Sequence, residues 1–213
     1  MTSSRRDFIK ASAAGAAIAA TGGIAGCAEA EQPDNSAAPA HHKPLDILIL
    51  GGTGFIGPHM VREALRRGHS VTLFNRGRTN NTLFPDLETI KGDRDNGLDG
   101  LAGRKWDAVI DNSGYVPRHV QDSARLLAPN CNRYLYISTV AVYTDFTSAI
   151  DEDSPLATLD DETVEEVTWE TYGPLKALCE QRAATEVAPE KYTVLRPTYI
   201  CGPGDHTDRF SYW

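Results

Sequence analysis

Leu45 to Leu50 (LDILIL) is a short, almost unbroken apolar run, and it opens directly into Gly51-Gly52-Thr53-Gly54-Phe55-Ile56-Gly57. Such a run, bounded by glycine, predicts a strand buried on both faces of a parallel sheet. Glycines at G-x-x-G-x-x-G spacing straight after a strand predict a turn that crowds backbone amides onto a phosphate. Gly51 permits the tight turn, Gly54 the close backbone approach, and Gly57 the packing of the next helix against the sheet. Thr53, Phe55 and Ile56 belong to the same turn and are read as cofactor-binding with it. The helix, roughly Gly57 to Arg67, directs its amino-terminal partial positive charge at the phosphates, and Gly68 ends it.

Further strands are expected at Ser70 to Phe74, near Glu88 to Lys91, at Trp106 to Ile110 and at Tyr134 to Ile137. Together they predict an α/β chain with a Rossmann-type, doubly wound parallel sheet. The second strand ends in Asn75-Arg76-Gly77-Arg78. A site that prefers NAD offers an acid there for the ribose 2′-hydroxyl. Here Asn75 takes that place, and the Arg76 guanidinium suits a 2′-phosphate in charge and shape. The pattern therefore favours NADP, with NAD as the alternative if Arg76 and Arg78 only face solvent. After the fourth strand comes Asp111-Asn112-Ser113-Gly114, where Asn112 and Ser113 pass the riboses of the cofactor.

The fifth strand leads into Ser138-Thr139-Val140-Ala141-Val142-Tyr143, and Tyr172-Gly173-Pro174-Leu175-Lys176 follows later. Residues four apart on a helix share a face, so Tyr172 and Lys176 point the same way. A phenol titrates near pH 10 and is a poor base at neutrality, whereas an adjacent ammonium favours the phenolate. Tyr172 can then exchange a proton with a substrate alcohol, Thr139 can hold the substrate oxygen, and Lys176 can also bind the nicotinamide ribose.

The order of these motifs resembles the extended short-chain dehydrogenase/reductase family, the NAD-dependent epimerase/dehydratase group. Ile150 to Pro155 resembles its acidic-x-x-Pro turn, and Leu195-Arg196-Pro197 to Gly202-Pro203-Gly204-Asp205 resembles its segment after strand six. The resemblance runs from about Leu45 to Trp213. It implies a bound nicotinamide cofactor, a Thr139/Tyr172/Lys176 triad, and an adenine contact at Asp93 with Arg94 beside it. The closing Asp208 to Trp213 resembles a bacterial subgroup related to chloroplast stem-loop-binding proteins. Thr144 and Cys201 depart from the family pattern, and Val140-Ala141 stand where sugar dehydratases carry Asp-Glu. Lacking those carboxylates, the pattern leaves epimerisation or carbonyl reduction. The resemblance also implies a carboxy-terminal substrate domain, and residues 44–213 read as a truncated Rossmann domain that exposes apolar surface.

Ser4-Arg5-Arg6-Asp7-Phe8-Ile9-Lys10, followed by an Ala- and Gly-rich apolar stretch, resembles a twin-arginine export signal over residues 1–27. The stretch is too short and too weakly apolar for a membrane span. Ile24-Ala25-Gly26-Cys27 resembles a lipobox, with Ala28-Glu29-Ala30 as a rival cleavage site. Contact with a membrane is thus expected only through the leader or a lipid on Cys27, and the location is periplasmic. Residues 28–43, with Pro33 and Pro39, read as a flexible linker, and His41-His42 as a solvated pair rather than a metal site.

The net charge of −8 over 213 residues offers no general attraction for nucleic acid. The remaining cysteines, Cys131, Cys179 and Cys201, are odd in number and lack metal-ligand spacing, so they read as buried residues or free thiols, and no metal is expected. The implied partners are a small-molecule substrate, the twin-arginine export machinery and a second copy of the chain as a homodimer. A compartment without a ready NADP pool favours an epimerase, which regenerates its cofactor in each cycle, slightly over a reductase. The alternatives are a non-catalytic nucleotide- or RNA-binding relative and an inactive fragment.

Overall fold

The computed structural model describes residues 43–205. The leader, Cys27, most of the linker with His41 and His42, and the closing 206–213 lie outside the described residues. Six strands run in chain order: β1 (Asp46–Leu50), β2 (Ser70–Asn75), β3 (Thr89–Lys91), β4 (Trp106–Asp111), β5 (Cys131–Ile137) and β6 (Tyr192–Leu195). They form one sheet in the order β3-β2-β1-β4-β5-β6, with every neighbouring pair parallel. Three helices flank it, α1 (Gly57–Arg66), α2 (Pro117–Leu127) and α3 (Trp169–Glu186). None of the described helices is long and apolar enough to cross a membrane.

The alternation of β1 divides the core. Ile47 and Ile49 meet Val61 and Ala64 of α1 and Val71 and Leu73 of β2. Leu48 and Leu50 point the other way, into a larger cluster with Val109, Val120, Leu127, Tyr134, Tyr136 and Cys179 beneath α2 and α3. Each fully buried aliphatic side chain contributes about 1.5–3 kcal/mol. On the α1 side, the outer strands carry Ile137 and Leu195 with no described helix above them, and Leu195 is 48% exposed. The sheet is thus fully covered on one face and partly on the other.

α1 stops where the sequence predicts. Gly68 has a φ of +80°, its N–H bonds to the Leu65 carbonyl (2.9 Å), and the His69 N–H bonds to that of Ala64 (3.1 Å). This double closure satisfies carbonyls that the helix end leaves open, and only a left-handed residue permits it. β1 and β4 are sheet neighbours far apart in the chain, so strand order reverses between them. Their carboxyl ends open a crevice there, where ligands of such sheets bind.

Beneath this crevice lies a charged cluster. The Arg94 guanidinium donates to both oxygens of Asp111, and the Tyr134 hydroxyl donates to Asp111 Oδ2 at 2.9 Å. Arg94 and Asp111 are 8% and 0% exposed. Arg94, grouped with the cofactor contacts in the sequence, turns its charge inward and holds the end of β4. Burial opposes that charge, but Asp111 outweighs it and raises the guanidinium above its ordinary value. Removing one partner of a buried pair leaves the other charge uncompensated, so Arg94→Met should lose roughly 3–5 kcal/mol in urea unfolding. A loss under about 1 kcal/mol, the range of exposed pairs, would show the cluster to be dispensable.

Candidate active site

The phosphate-type turn after β1 depends on contacts no other residue allows. Gly52 has a φ of +93°, and a Cβ on Gly57 would sit 2.6 Å from the Gly52 backbone. The amino end of α1 therefore rests directly on the turn. A Cβ on Gly54 would meet nothing within 4 Å, so the turn is open on that side. From the β2–β3 loop, Asn80 donates its side-chain amide to the Thr53 carbonyl at 3.0 Å and braces the turn. A Cβ on Gly51 would lie 3.4 Å from the Ser113 side chain, so the turns after β1 and β4 adjoin.

At the end of β2, Asn75 Oδ1 accepts the Gly77 N–H at 2.8 Å. This folds the chain so that Arg76 and Arg78 are exposed, and neither pairs with a described carboxylate. Lys91, at the end of β3, lays its side chain near Gly77 and adds a third cation that the sequence reading did not include. Asp93 follows β3 and accepts the Asp95 N–H at 3.2 Å.

The catalytic candidates come from two neighbouring elements. Thr139 caps the short 3-10 turn Val140–Val142, its Oγ1 accepting the Ala141 N–H at 3.2 Å. Its hydroxyl hydrogen remains available to donate. Tyr172 lies in the first turns of α3, whose start is fixed by a reciprocal cap between Thr168 and Thr171. A Cβ on Gly173 would fall 2.2 Å from the Ala141 carbonyl oxygen, so glycine is what lets α3 meet the Thr139 turn.

Lys176, one helical turn on, is buried, and its Nζ donates to the carbonyls of Gly114 (2.8 Å) and Ile137 (2.7 Å). An ammonium has three N–H donors, so one remains. Burial pushes the Lys176 pKa down to about 8.

Two buried polar atoms at the crevice, Asn112 Oδ1 and Ser138 Oγ, have no hydrogen-bond partner among the described residues. Buried polar groups are almost always satisfied, so these mark places for a hydroxyl-bearing ligand. Next to them, an apolar pocket of about 400 Å³ runs between Phe55, Ile56 and Met60 of the first turn and Ile137, Pro197 and Ile200. Its lining suits a flat ring. The donors, the open turn and the pocket together fit a nicotinamide dinucleotide.

The Arg196 guanidinium is also internal: it bonds to Glu180 of α3 (2.7 Å), to the Tyr143 hydroxyl (2.7 Å) and to the Glu152 carbonyl (3.1 Å). It thereby fastens β6 to the acidic turn. Cys131 and Cys179 are buried, whereas Cys201 is exposed at the pocket.

A parallel sheet of this order, with a phosphate turn after β1, defines a dinucleotide-binding α/β protein. More specifically, the chain belongs to the NAD dependent epimerase/dehydratase family, which it matches over residues 47–212, and residues 2–22 match the twin-arginine translocation signal sequence. It is 30% identical over 175 residues to chloroplast stem-loop binding protein of 41 kDa b of Arabidopsis thaliana, covering 74% of this chain and 42% of that protein. It is 29% identical over 184 residues to a 2-alkyl-3-oxoalkanoate reductase of Stenotrophomonas maltophilia, covering 76% of this chain and 52% of that one. The chain thus spans about half the length of these relatives. In fold it resembles MoeE5 in complex with UDP-glucuronic acid and NAD (TM-score 0.59, 23% identity, 78% of this chain and 58% of that one). It also resembles the Bordetella bronchiseptica enzyme WbmH in complex with NAD+ (TM-score 0.60, 18% identity, 78% and 59%).

Gly57→Ala forces α1 off the turn. Overpacking of 1–3 kcal/mol, borne by the bound state, corresponds to roughly a five- to 150-fold loss of affinity for a reduced nicotinamide dinucleotide by fluorescence titration. Unchanged affinity would place the dinucleotide elsewhere. A lysine with a lowered pKa carries its charge below that value and loses it above. The part of dinucleotide affinity that depends on Lys176 should therefore be present at neutral pH and fade as the pH rises through about 8, a step absent from Lys176→Ala.

Proposed function

We propose that this chain holds NADP, with NAD as the alternative, and forms the cofactor half of an exported epimerase or reductase. Its substrate class is a sugar or sugar-nucleotide-like molecule, reacting at a hydroxyl or keto group. The observation that carries the reading is the bond from Lys176 Nζ on α3 to the Gly114 carbonyl in the turn beside the glycine loop. It joins the Tyr172 helix to the turn after β4, at the crevice of the sheet.

In this reading Gly51, Thr53, Gly54, Phe55, Ile56 and Gly57 hold the pyrophosphate. Asn112, Ser113 and Lys176 meet the riboses, and Asp93 meets the adenine end. Asn75 and Arg76 meet the 2′-position, where the unpaired Arg76 and Arg78 support the phosphorylated form. When bound, the nicotinamide supplies a hydride acceptor and donor. Proton movements fall to the chain: the Tyr172 phenol exchanges a proton with the substrate oxygen while the Thr139 hydroxyl donates to the same atom. The Lys176 ammonium steadies the phenolate through its charge, and its remaining N–H is left for the ribose hydroxyls. Val140 and Ala141 occupy the turn after Thr139, so no carboxylate stands there to assist loss of water. Export past the inner membrane supports an epimerase somewhat over a reductase, because each cycle returns its own hydride. A periplasmic location, a lipid on Cys27 and a homodimer through α2 and α3 belong to the same proposal.

Native mass spectrometry of the purified protein should find a nicotinamide dinucleotide that survives dialysis. An empty protein with only weak affinity would count against the epimerase reading. Arg76→Asp removes a charged contact of about 1.5–3 kcal/mol and should weaken NADP by roughly ten- to a hundred-fold while sparing NAD. Equal losses for both dinucleotides would sink the assignment of Arg76. Tyr172→Phe should lower turnover by roughly 10²–10⁴-fold with dinucleotide affinity kept.

A further inference from the structure

Lys176 has no carboxylate partner within ion-pair distance among the described residues; it has ring faces instead. Its Nζ lies 4.2 Å from the centroid of the Tyr136 ring and 5.3 Å from that of Tyr115. The Tyr136 hydroxyl donates to the Gly114 carbonyl at 2.9 Å, the same oxygen that accepts from Lys176. Tyr136 is thus fixed at both its ring and its hydroxyl, and it is fully buried. Tyr115, 48% exposed, stands on the mouth side, its ring centroid 6.4 Å from that of Tyr172. It touches both members of the couple.

The charged and titratable groups around the ammonium are Asp111 on β4, Arg94 before it, and Cys179 and Glu180 on α3 itself. Asp111 is already engaged by Arg94 and Tyr134. A carboxylate beside Lys176 would hold the ammonium, but its full negative charge would also oppose a phenolate at Tyr172. An aromatic face attracts a cation through its quadrupole and brings no net charge.

We propose that Tyr115 and Tyr136 are positioning residues for the phenol–ammonium couple, their ring faces holding the Lys176 ammonium in place of a carboxylate so that one N–H faces the groove. The proposal rests on the reading of Tyr172 and Lys176 as the reacting couple. Tyr136 supplies the inner wall and Tyr115 the outer one. Neither lies in the Y-x-x-x-K motif, and the two come from different strand ends.

The test uses the full chain. The ionisation midpoint of Lys176 is measured from the pH dependence of its acylation by acetic anhydride, read by peptide mass spectrometry. Tyr115→Phe and Tyr136→Phe keep the ring faces and should leave the midpoint in place. Tyr115→Leu and Tyr136→Leu remove a face while still excluding water, and should lower the midpoint by about half to one pH unit. Tyr115 is half-exposed, so its Leu variant decides the matter if Tyr136→Leu melts too low to measure. A folded Tyr115→Leu protein with an unchanged or raised midpoint would overturn the proposal, since a merely structural ring would alter melting alone. A separate arm adds NADP and, in parallel, NAD. Failure of both to protect Lys176 from acylation refutes the reading of the couple, while the comparison of midpoints still judges the ring faces.

Discussion

The Gly114 carbonyl accepts two donors, the Tyr136 hydroxyl of β5 and the Lys176 ammonium of α3. The loop that carries it follows β4, the strand beside β1 in the sheet. One oxygen therefore ties the glycine-turn side of the crevice to the helix that bears Tyr172. A hydrogen bond to a charged donor is roughly twice as strong as a neutral one, and more so away from water. Glycine is required at this point: a Cβ there would meet Val120 at 2.5 Å and Tyr136 at 2.8 Å. The oxygen is available only because its residue has no side chain.

The cluster below works on the same strand end. Asp111 precedes the loop and is held by Arg94 and Tyr134, so β4 ends in a rigid charged knot rather than a fraying terminus. Above it, Arg196 draws β6, α3 and the acidic turn together. Both guanidiniums turn to internal partners: the terminal nitrogens of Arg94 bond to Asp111 and the His119 carbonyl, and Arg196 bonds to Glu180, Tyr143 and the Glu152 carbonyl.

Local patterns were legible in the sequence. The apolar run of β1, the glycine turn and the end of α1 at Gly68 each follow from a few adjacent residues. β5 begins at Cys131, three residues before the apolar pattern suggests, because Asn132 and Arg133 are exposed and interrupt it. α2 is hard to read in the sequence because its buried stripe, Pro117, Val120, Ser123, Ala124 and Leu127, is thinly apolar and sits amid polar residues. That Tyr172 and Lys176 share a helix was legible, because their spacing alone places them one turn apart. Tyr115, Tyr136 and Gly114 were not, since they meet Lys176 across distant stretches of chain. Arg94 reads as a surface charge until its partner, 17 residues away, is folded against it.

The reciprocal cap between Thr168 and Thr171 sets where α3 begins, with Thr168 four residues before Tyr172. Each residue of an α-helix advances the chain by about 100° and 1.5 Å. The cap therefore works as an angular index for the phenol. Substitution of Trp169 leaves that index intact, whereas loss of either threonine removes the cap, and a single inserted or deleted residue would turn the Tyr172 ring by about a quarter-turn. Length variation in relatives should accumulate ahead of Thr168, in the long excursion from Thr144, where the angle of the Tyr172 ring does not depend on the count.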